Sequence, residues 1–141
     1  MEPKILIVDD EPLVLEMFET VLRDTGYLTT TSSTATEAKN LLLSESFDLI
    51  IVDVWLDDED GFILAQYAKK IQSNIEVVVI TGRPSEKGKK DALESDFAYL
   101  SKPVPFGDLI IAVEKKVNKE QKVVQAQALT SDVNPLTKLP S

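Results

Sequence analysis

The most apolar run of this chain is Asp48-Leu-Ile-Ile-Val-Asp-Val54. A continuous apolar run, without polar residues at alternate positions, is typical of a strand that is buried on both faces. Such a strand lies at the centre of a parallel sheet whose two faces are covered by helices. The run therefore predicts an α/β fold, with Asp53 at the carboxyl end of the central strand.

Three of the other predicted strands each lead to a residue with a reactive or charged side chain. These strands are Lys4–Val8, followed by Asp9 and Asp10; Glu76–Thr81, which ends in the hydroxyl of Thr81; and Phe97–Leu100, followed after Ser101 by Lys102. In an open parallel sheet the carboxyl ends of the strands share one edge, and ligands bind in the crevice at that edge. The sequence therefore predicts a small site that suits a divalent cation beside a phosphoryl group.

Helical patterns separate the predicted strands, as expected for βα units. The predicted helices are Pro12 to Gly26, Ser33–Ser44, Gly61–Gln72 and Ser85–Ser95, and Tyr27–Thr31 is predicted as an edge strand. The fourth helix is expected to be the weakest, because Gly88 lies in its middle and only Ala92 and Leu93 can anchor it.

The composition excludes several classes of function. With 141 residues, of which 43% are apolar, the chain supports one domain and a tail. A net charge of −9 argues against binding of nucleic acid or a membrane surface by this segment. No apolar stretch approaches the roughly 20 residues of a membrane span and no signal-peptide pattern is present, so we predict a cytoplasmic protein. The sequence has no histidine and no cysteine, which excludes a zinc site, a Ser-His-Asp triad and a phosphohistidine carrier.

Taken together, these motifs resemble the receiver domain of two-component response regulators over about residues 3–120. The resemblance rests on Val8-Asp-Asp-Glu11, Asp53 with Gly61 at the expected spacing, Thr81, Tyr99 and Lys102-Pro103. It implies a flavodoxin-like (βα)5 fold with a doubly wound parallel sheet in the strand order 2-1-3-4-5, the order known for the chemotaxis member of the family. We expect residues 1–120 to form this receiver domain.

The resemblance also implies a phosphoacceptor and a metal site. Asp53 is expected to accept a phosphoryl group from the histidine of a sensor kinase or from a phosphotransfer protein. Mg²⁺ is expected to bind to Asp9, Asp10, Asp53 and the backbone carbonyl of Trp55. The only chemistry expected is the phosphorylation and dephosphorylation of Asp53 itself.

Four further residues receive roles from the same resemblance. Lys102 and Thr81 are expected to contact the phosphate, and the peptide bond before Pro103 is expected to be cis. Thr81 and Tyr99 are expected to act as the switch that changes the face formed by helix four, strand five and helix five.

The sequence departs from the family pattern at two places. Asp57 stands where the family usually has proline. Ser95 and Asp96 replace the usual Gly-Ala, so helix four is expected to lose its glycine cap and to place a charge where a small residue normally packs. Trp55 and Arg83 occupy positions that influence dephosphorylation in the family, and we expect the large Trp55 side chain to slow hydrolysis.

The predicted fifth helix is longer than the sheet needs. It begins at Pro105 and is expected to continue through Lys119 to about Leu129, with an exposed apolar stripe that includes Val117. This extension is either a solvated continuation of a core helix or a helix that pairs in a homodimer. The face formed by helix four, strand five and helix five is a second candidate dimer surface.

The last ten residues, Asp132-Val-Asn-Pro-Leu-Thr-Lys-Leu-Pro-Ser141, resemble the opening of GGDEF domains, the diguanylate cyclase family. Lys138 stands where that family has glycine, and the alternative is a disordered tail with several prolines. We expect residues 121–141 to be a linker helix and tail that lead into a truncated output domain.

Three classes of function remain open. The first is a receiver that controls an output domain, and the second is a stand-alone regulator or interaction module with an acidic pocket. The third is a flavodoxin-fold enzyme or an aspartyl-phosphate hydrolase. The third is disfavoured because the loops after the first three strands lack the run of glycines that cradles a phosphate.

Overall fold

A five-stranded parallel sheet forms the centre of the computed structural model, which describes residues 2–118. The strands, in chain order, are β1 Lys4–Val8, β2 Leu28–Ser32, β3 Leu49–Asp53, β4 Glu76–Thr81 and β5 Ala98–Ser101. Their order across the sheet is β2-β1-β3-β4-β5, and all neighbours are parallel. The predicted flavodoxin-like topology is confirmed, and the strand bounds differ from the predicted ones by one residue at most.

Five helices connect and flank the strands. They are α1 Pro12–Asp24, α2 Ala35–Ser44, α3 Gly61–Ile71, α4 Glu86–Glu94 and α5 Phe106–Val117. Side-chain oxygens of Thr34, Asp60 and Ser85 accept hydrogen bonds from the first turns of α2, α3 and α4, respectively. Gly26 follows α1 with a φ of 105°, so it ends this helix as predicted.

The central strand β3 is buried on both faces, as its apolar run predicts. All five of its residues are buried. Leu49 and Ile51 pack with residues of α1 and α5, whereas Ile50 and Val52 pack with residues of α2, α3 and α4. The helices therefore cover the sheet in two layers, and Asp53 at the end of β3 lies between them.

Helix α4 packs more sparsely than predicted. Ala92 is its buried residue, whereas Leu93, which was expected to be the second anchor, is 78% exposed. This part of the prediction was wrong because α4 lies on the sheet with Ala92 facing it, so that Leu93, about 100° further round the helix, points to solvent. Helix α4 is therefore held to the core mainly at one small side chain.

The end of α4 also differs from the expectation. Asp96 takes the left-handed conformation after the helix, with a φ of 61°, and the Phe97 amide donates a hydrogen bond to the carbonyl of Ala92. Aspartate adopts this conformation more readily than most residues, so Asp96 can end the helix without a glycine. The Asp96 side chain is 70% exposed and within 3.5 Å of the Lys116 ammonium. The expectation that its charge packs inward was wrong.

Within the described residues helix α5 ends at Val117, and its predicted continuation through Lys119 to about Leu129 lies outside them. Asn118 is the C-cap, and its N–H donates to the carbonyl of Glu114. Val117 is partly buried against the core side chains under α1 and α5, so within the described residues it does not start an exposed stripe. The predicted linker helix and the segment that resembles a GGDEF opening lie outside the described residues.

Between residues 2 and 118, no helix combines the length and the apolar character that crossing a membrane would need. The cytoplasmic location and the lack of membrane and nucleic-acid partners stay predictions.

Candidate functional site

The parallel register brings the predicted site residues to one edge of the sheet. Asp53 is aligned with Ile80, one residue before Thr81, and Thr81 is aligned with Ser101, one residue before Lys102. The backbone hydrogen bonds continue past the strands, since the Lys102 amide donates to the carbonyl of Thr81 over 2.8 Å. Asp9, Asp53 and Thr81 are 2%, 4% and 1% exposed, respectively. The predicted site residues are therefore neighbours, and three of them are buried.

The same local turn fixes three of these side chains. In each turn a side-chain oxygen accepts a hydrogen bond from the backbone N–H two residues further along, as Asp and Thr commonly do at chain turns. The pairs are Asp9 Oδ1 with Glu11 N (2.9 Å), Asp53 Oδ1 with Trp55 N (3.1 Å) and Thr81 Oγ1 with Arg83 N (2.9 Å). Because Oδ1 of each aspartate is used in its turn, Oδ2 is available to the centre of the site.

Lys102 joins the carboxylates at the centre of the site. Its ammonium lies 2.8 Å from Asp9 Oδ2, 3.0 Å from Asp53 Oδ2 and 2.7 Å from Glu11 Oε1. Burial lowers the pKa of Lys102, but the hydrogen bonds to the three carboxylates outweigh burial and raise this pKa above its usual value. The Lys102–Pro103 peptide bond is cis. Glu11 was not predicted as a site residue, although it directly follows the acidic pair in the sequence.

Three carboxylates form a cluster that suits a hard cation. Asp9, Asp10 and Asp53 each offer an oxygen, and these oxygens lie within 4.8 Å of one another. Carboxylate oxygens are the ligands that Mg²⁺ prefers in proteins, so the residues fit the expected metal. The role predicted for the Trp55 carbonyl stays a prediction.

The pKa values of two carboxyl groups in this cluster are raised, so their charged forms are disfavoured when no metal ion is bound. Burial is the main cause that raises the pKa of Asp9, and Lys102 opposes it. Burial also raises the pKa of Asp10, and the neighbouring carboxylates of Asp57, Asp9 and Asp53 add to the effect. Asp57, at the position where the family usually has proline, therefore adds a negative charge beside the site.

Hydrogen bonds and an ion pair hold the acidic loop of residues 54–60 in place. Asp58 accepts hydrogen bonds from the Ala35 and Thr36 amides at the start of α2, over 3.0 and 3.1 Å. These two hydrogen bonds lower the pKa of Asp58. Glu59 lies 2.7 Å from the Lys39 ammonium on α2. The loop next to Asp53 is therefore attached to α2.

Gly61 lets the start of α3 approach the end of β3. A Cβ atom at this position would lie 1.9 Å from the backbone carbonyl oxygen of Asp53, which no side chain could tolerate. The Gly61 amide also donates to the Val54 carbonyl over 2.8 Å, and Trp55 and Asp60 form an antiparallel bridge. The spacing between Asp53 and Gly61 in the sequence is thus the length of a loop whose end, Gly61, returns to contact the backbone where the loop begins.

The two predicted switch residues lie beside a cleft of about 430 Å³ between α3 and α4. The Tyr99 hydroxyl accepts a hydrogen bond from the Ser85 amide over 3.2 Å, and Thr81 is bonded to the Arg83 amide. The Arg83 guanidinium lies 4.8 Å from the centroid of the Trp55 ring, a cation–π distance. Sequence reasoning singled out both Trp55 and Arg83 but not their contact, because nothing local links two residues so far apart in the chain.

Comparisons with known proteins agree with this geometry. Residues 5–114 match the family described as the response regulator receiver domain. The chain is 33% identical over 133 residues to the alginate biosynthesis transcriptional regulatory protein AlgB of Pseudomonas putida, covering 92% of this chain and 29% of AlgB. It is 37% identical over 107 residues to the response regulator protein PilR of Pseudomonas aeruginosa, covering 75% of this chain and 24% of PilR. The chain thus spans less than a third of the length of these two relatives.

A solved structure is also similar. The crystal structure of a receiver domain protein from Methanospirillum hungatei superposes with a TM-score of 0.81 at 29% identity, covering 86% of this chain and 98% of that one. The family match covers more than half of the chain, and the carboxylates, hydroxyl and lysine lie together at the sheet edge. The chain therefore belongs to the response regulator receiver domain family of two-component systems.

Proposed function

We propose that Asp53 accepts a phosphoryl group from the histidine of a sensor kinase or from a phosphotransfer protein, with Mg²⁺ bound beside it. The observation that carries this proposal is the setting of the Asp53 carboxylate. It is 4% exposed, its Oδ2 lies 3.0 Å from the Lys102 ammonium, and it offers an oxygen to the cluster with Asp9 and Asp10. A carboxylate can form an acyl phosphate, which divides one difficult transfer into two easier steps.

The neighbouring side chains have separate roles in this proposal. Lys102 moves from its carboxylate partners to pair with a phosphate oxygen. Thr81 Oγ1 already accepts a hydrogen bond from the Arg83 amide, so its own proton can be donated to another phosphate oxygen. Asp9, Asp10, Asp53 and the Trp55 carbonyl would hold Mg²⁺, which when bound offsets the negative charge of the carboxylates and of the phosphate.

The phosphoacceptor is tested by treating the protein with acetyl phosphate or beryllofluoride in the presence of Mg²⁺. We expect one modified carboxylate by intact-mass analysis after acetyl phosphate, and we expect Asp53→Asn to abolish the modification. Asp58→Asn is the matched control, because the Asp58 carboxylate belongs to the adjacent loop and binds the amides at the start of α2. This variant should be labelled as the wild type is. Equal labelling of wild type and Asp53→Asn would remove Asp53 from this role.

The metal site is tested by titration with Mg²⁺, followed by the fluorescence of Trp55, the single tryptophan of the chain. Asp10→Ala should weaken Mg²⁺ binding strongly because it removes a direct ligand. Unchanged affinity would mean that Asp10 does not bind the metal.

We also propose slow hydrolysis of the acyl phosphate. Trp55 and Arg83 follow Asp53 and Thr81 by two residues, and the contact between their side chains connects the loops after β3 and β4. This pair would limit the access of water to Asp53. The lifetime of the phosphoprotein should shorten in Trp55→Ala and in Arg83→Ala, and unchanged lifetimes would contradict the proposal.

The output of this receiver has two candidates, each supported by a different observation. The resemblance of residues 132–141 to the opening of GGDEF domains supports a cyclase-type output, with residues 121–141 as the linker. The name of AlgB, a transcriptional regulatory protein, supports control of transcription instead. The residues encoded after Ser141 decide between them, and a stop codon there would support a stand-alone regulator.

A homodimer through α4, β5 and α5 is part of the same proposal. Ile111 on α5 is 52% exposed beside a cleft of about 330 Å³ lined by residues of β5 and α5. The mass measured by light scattering should rise when beryllofluoride and Mg²⁺ are added. Loss of the dimer on truncation after Val117 would instead assign the contact to the predicted linker helix, and a monomer under all conditions would contradict dimerisation.

A further inference from the structure

Gly88 lies in the first turn of α4, directly against the Tyr99 side chain. A Cβ atom at Gly88 would lie 3.0 Å from the Tyr99 hydroxyl oxygen, 3.0 Å from Ser85 Oγ and 3.5 Å from a Tyr99 ring carbon. A distance of 3.0 Å is tighter than nine in ten real contacts of a Cβ atom, so the neighbouring side chain would have to shift by a few tenths of an ångström. Gly107, the other helical glycine outside α3, is different, because a Cβ atom there would meet nothing within 4 Å. The missing side chain of Gly88 therefore makes room for the tyrosine.

Hydrogen bonds also connect Gly88, Ser85 and Tyr99 at the start of α4. The Ser85 amide donates to the Tyr99 hydroxyl over 3.2 Å, and the Gly88 amide donates to Ser85 Oγ over 2.9 Å. Amide groups at the start of a helix have no partner within the helix, so side chains or water must satisfy them. Tyr99, a residue of β5, thus supplies an acceptor beside the first turn of α4.

We propose that Gly88 is a positioning residue for Tyr99, and that its lack of a side chain lets the tyrosine hydroxyl bind the start of α4. The ring and the first turn of α4 then move as one unit. The weak packing of α4 supports this, because Ala92 is the one buried residue of this helix. The inference rests on the proposed function only in that it takes Tyr99 as the switch.

The contact is tested by measuring hydrogen exchange of the Ser85 amide by NMR in the unphosphorylated protein. Tyr99→Phe removes the acceptor, and Gly88→Ala displaces the ring, so each variant should speed Ser85 exchange by about threefold to tenfold, the range expected for one hydrogen bond. Gly107→Ala is the matched control, since it makes the same substitution in a helix where the space is open, and it should leave Ser85 exchange unchanged.

A double mutant separates displacement of the ring from a general change in α4. In the Tyr99→Phe background, Gly88→Ala should add no further increase in Ser85 exchange, because the hydrogen bond is already absent. Unchanged exchange in Gly88→Ala, or a second increase of similar size in the double mutant, would overturn the role of Gly88. If Gly88→Ala disrupts α4 as a whole, Tyr99→Phe still tests whether the hydrogen bond exists. Unchanged Ser85 exchange in Tyr99→Phe would also overturn the inference.

Beryllofluoride then tests the proposed function separately. If Asp53 is the acceptor, beryllofluoride with Mg²⁺ should shift the signals of the Tyr99 ring and the Ser85 amide in the wild type with the same midpoint. Gly88→Ala should abolish this common response of the two groups, and an unaltered common response would overturn the inference. No effect of beryllofluoride on the wild type would contradict the proposed function. The exchange measurements without beryllofluoride would still show whether Gly88 positions Tyr99 against Ser85.

Discussion

The site at the sheet edge and helix α4 are held in place by different kinds of interaction. The site residues lie at the carboxyl ends of β1, β3, β4 and β5, Asp9 and Asp53 are at most 4% exposed, and Lys102 lies within 3.0 Å of three carboxylates. Helix α4 has one buried side chain, Ala92, and an apolar residue, Leu93, that is 78% exposed. A region with few buried contacts opens or shifts at a lower free-energy cost than a packed one. A shift of α4 should therefore cost less free energy than a shift of the strand ends that carry the site.

Two lysines illustrate the same difference. The Lys87 ammonium lies 2.8 Å from Asp91 on α4, a distance as short as that between Lys102 and Asp9. The Lys87 side chain is 86% exposed and that of Lys102 only 17%. Water and salt screen the exposed pair, which therefore contributes little to stability. The degree of burial, more than the distance, decides which ion pair fixes its surroundings.

The largest effect is expected for Gly61→Ala, which tests how tightly the site is built. The added Cβ would lie 1.9 Å from the Asp53 carbonyl oxygen, so β3 and α3 must separate. We expect a loss of about 3 kcal/mol or more in the free energy of unfolding, measured by urea denaturation. Gly107→Ala, where the space is open, should be neutral or stabilising by up to about 1 kcal/mol. Similar effects of the two substitutions would contradict the close approach.

The next largest effect is expected for Lys102→Ala, which removes the cation from the site. Without a divalent cation we expect a loss of about 2–3 kcal/mol in the free energy of unfolding, less than for a fully buried pair because Glu11 is 60% exposed. Mg²⁺ should stabilise this variant more than the wild type, because the metal replaces the missing positive charge.

The matched control is Lys116→Ala, which removes a similarly sheltered lysine that contacts Asp96 and Glu76. Glu76 is the first residue of β4 and so lies at the end of that strand opposite the site. The stability of Lys116→Ala should depend on Mg²⁺ as that of the wild type does. If Mg²⁺ stabilises Lys102→Ala no more than it stabilises Lys116→Ala, Lys102 is not the cation that offsets the charge of the site.

A smaller effect of the opposite sign is expected for Asp10→Asn without metal. The pKa of Asp10 is raised, so the folded protein binds this proton more tightly than the unfolded chain does. This tighter proton binding stabilises the folded protein fully below pH 3.8, the ordinary pKa of an aspartate. The stabilisation is lost as the pH rises through the raised pKa. At pH 7 Asp10→Asn should therefore increase the free energy of unfolding by about 0.5–1 kcal/mol, after allowance for solvent screening. The gain should shrink as the pH falls, and a gain that does not depend on pH would contradict this origin.

The smallest effect is expected for Leu93→Ala on α4. Since Leu93 is 78% exposed, the free energy of unfolding should change by no more than about 0.5 kcal/mol. Leu64→Ala on α3 is the comparison, because Leu64 is fully buried and its truncation should cost about 2–5 kcal/mol. A large loss in Leu93→Ala would mean that α4 is anchored more firmly than its packing indicates.

The sequence was sufficient to predict the sheet and most of the site because both depend on local patterns. The run of residues 48–54 indicates a strand that is buried on both faces, and the position of Asp53 at its end then follows from the geometry of parallel sheets. The order of the strands required the family resemblance, because apolar patterns do not specify which strands are neighbours.

The remaining details depend on contacts between distant segments. The burial of Leu93 could not be decided from its apolar character, since the direction of a helical side chain depends on how the helix lies on the sheet. The contact of Arg83 with Trp55 and that of Tyr99 with Ser85 each join residues from different loops or elements. Asp96 could have been identified as a helix end, because aspartate is one of the few residues other than glycine that commonly take a left-handed conformation.

The acidic loop of residues 54–60 has a consequence for protein engineering. From its composition it looks like a surface linker in which a tag or a reporter domain could be inserted. Its Asp58 and Glu59 side chains hold α2, Asp60 caps α3 and Gly61 touches the backbone of β3. Because insertions are tolerated where the backbone and side chains are free of such attachments, this loop is a poor position for one.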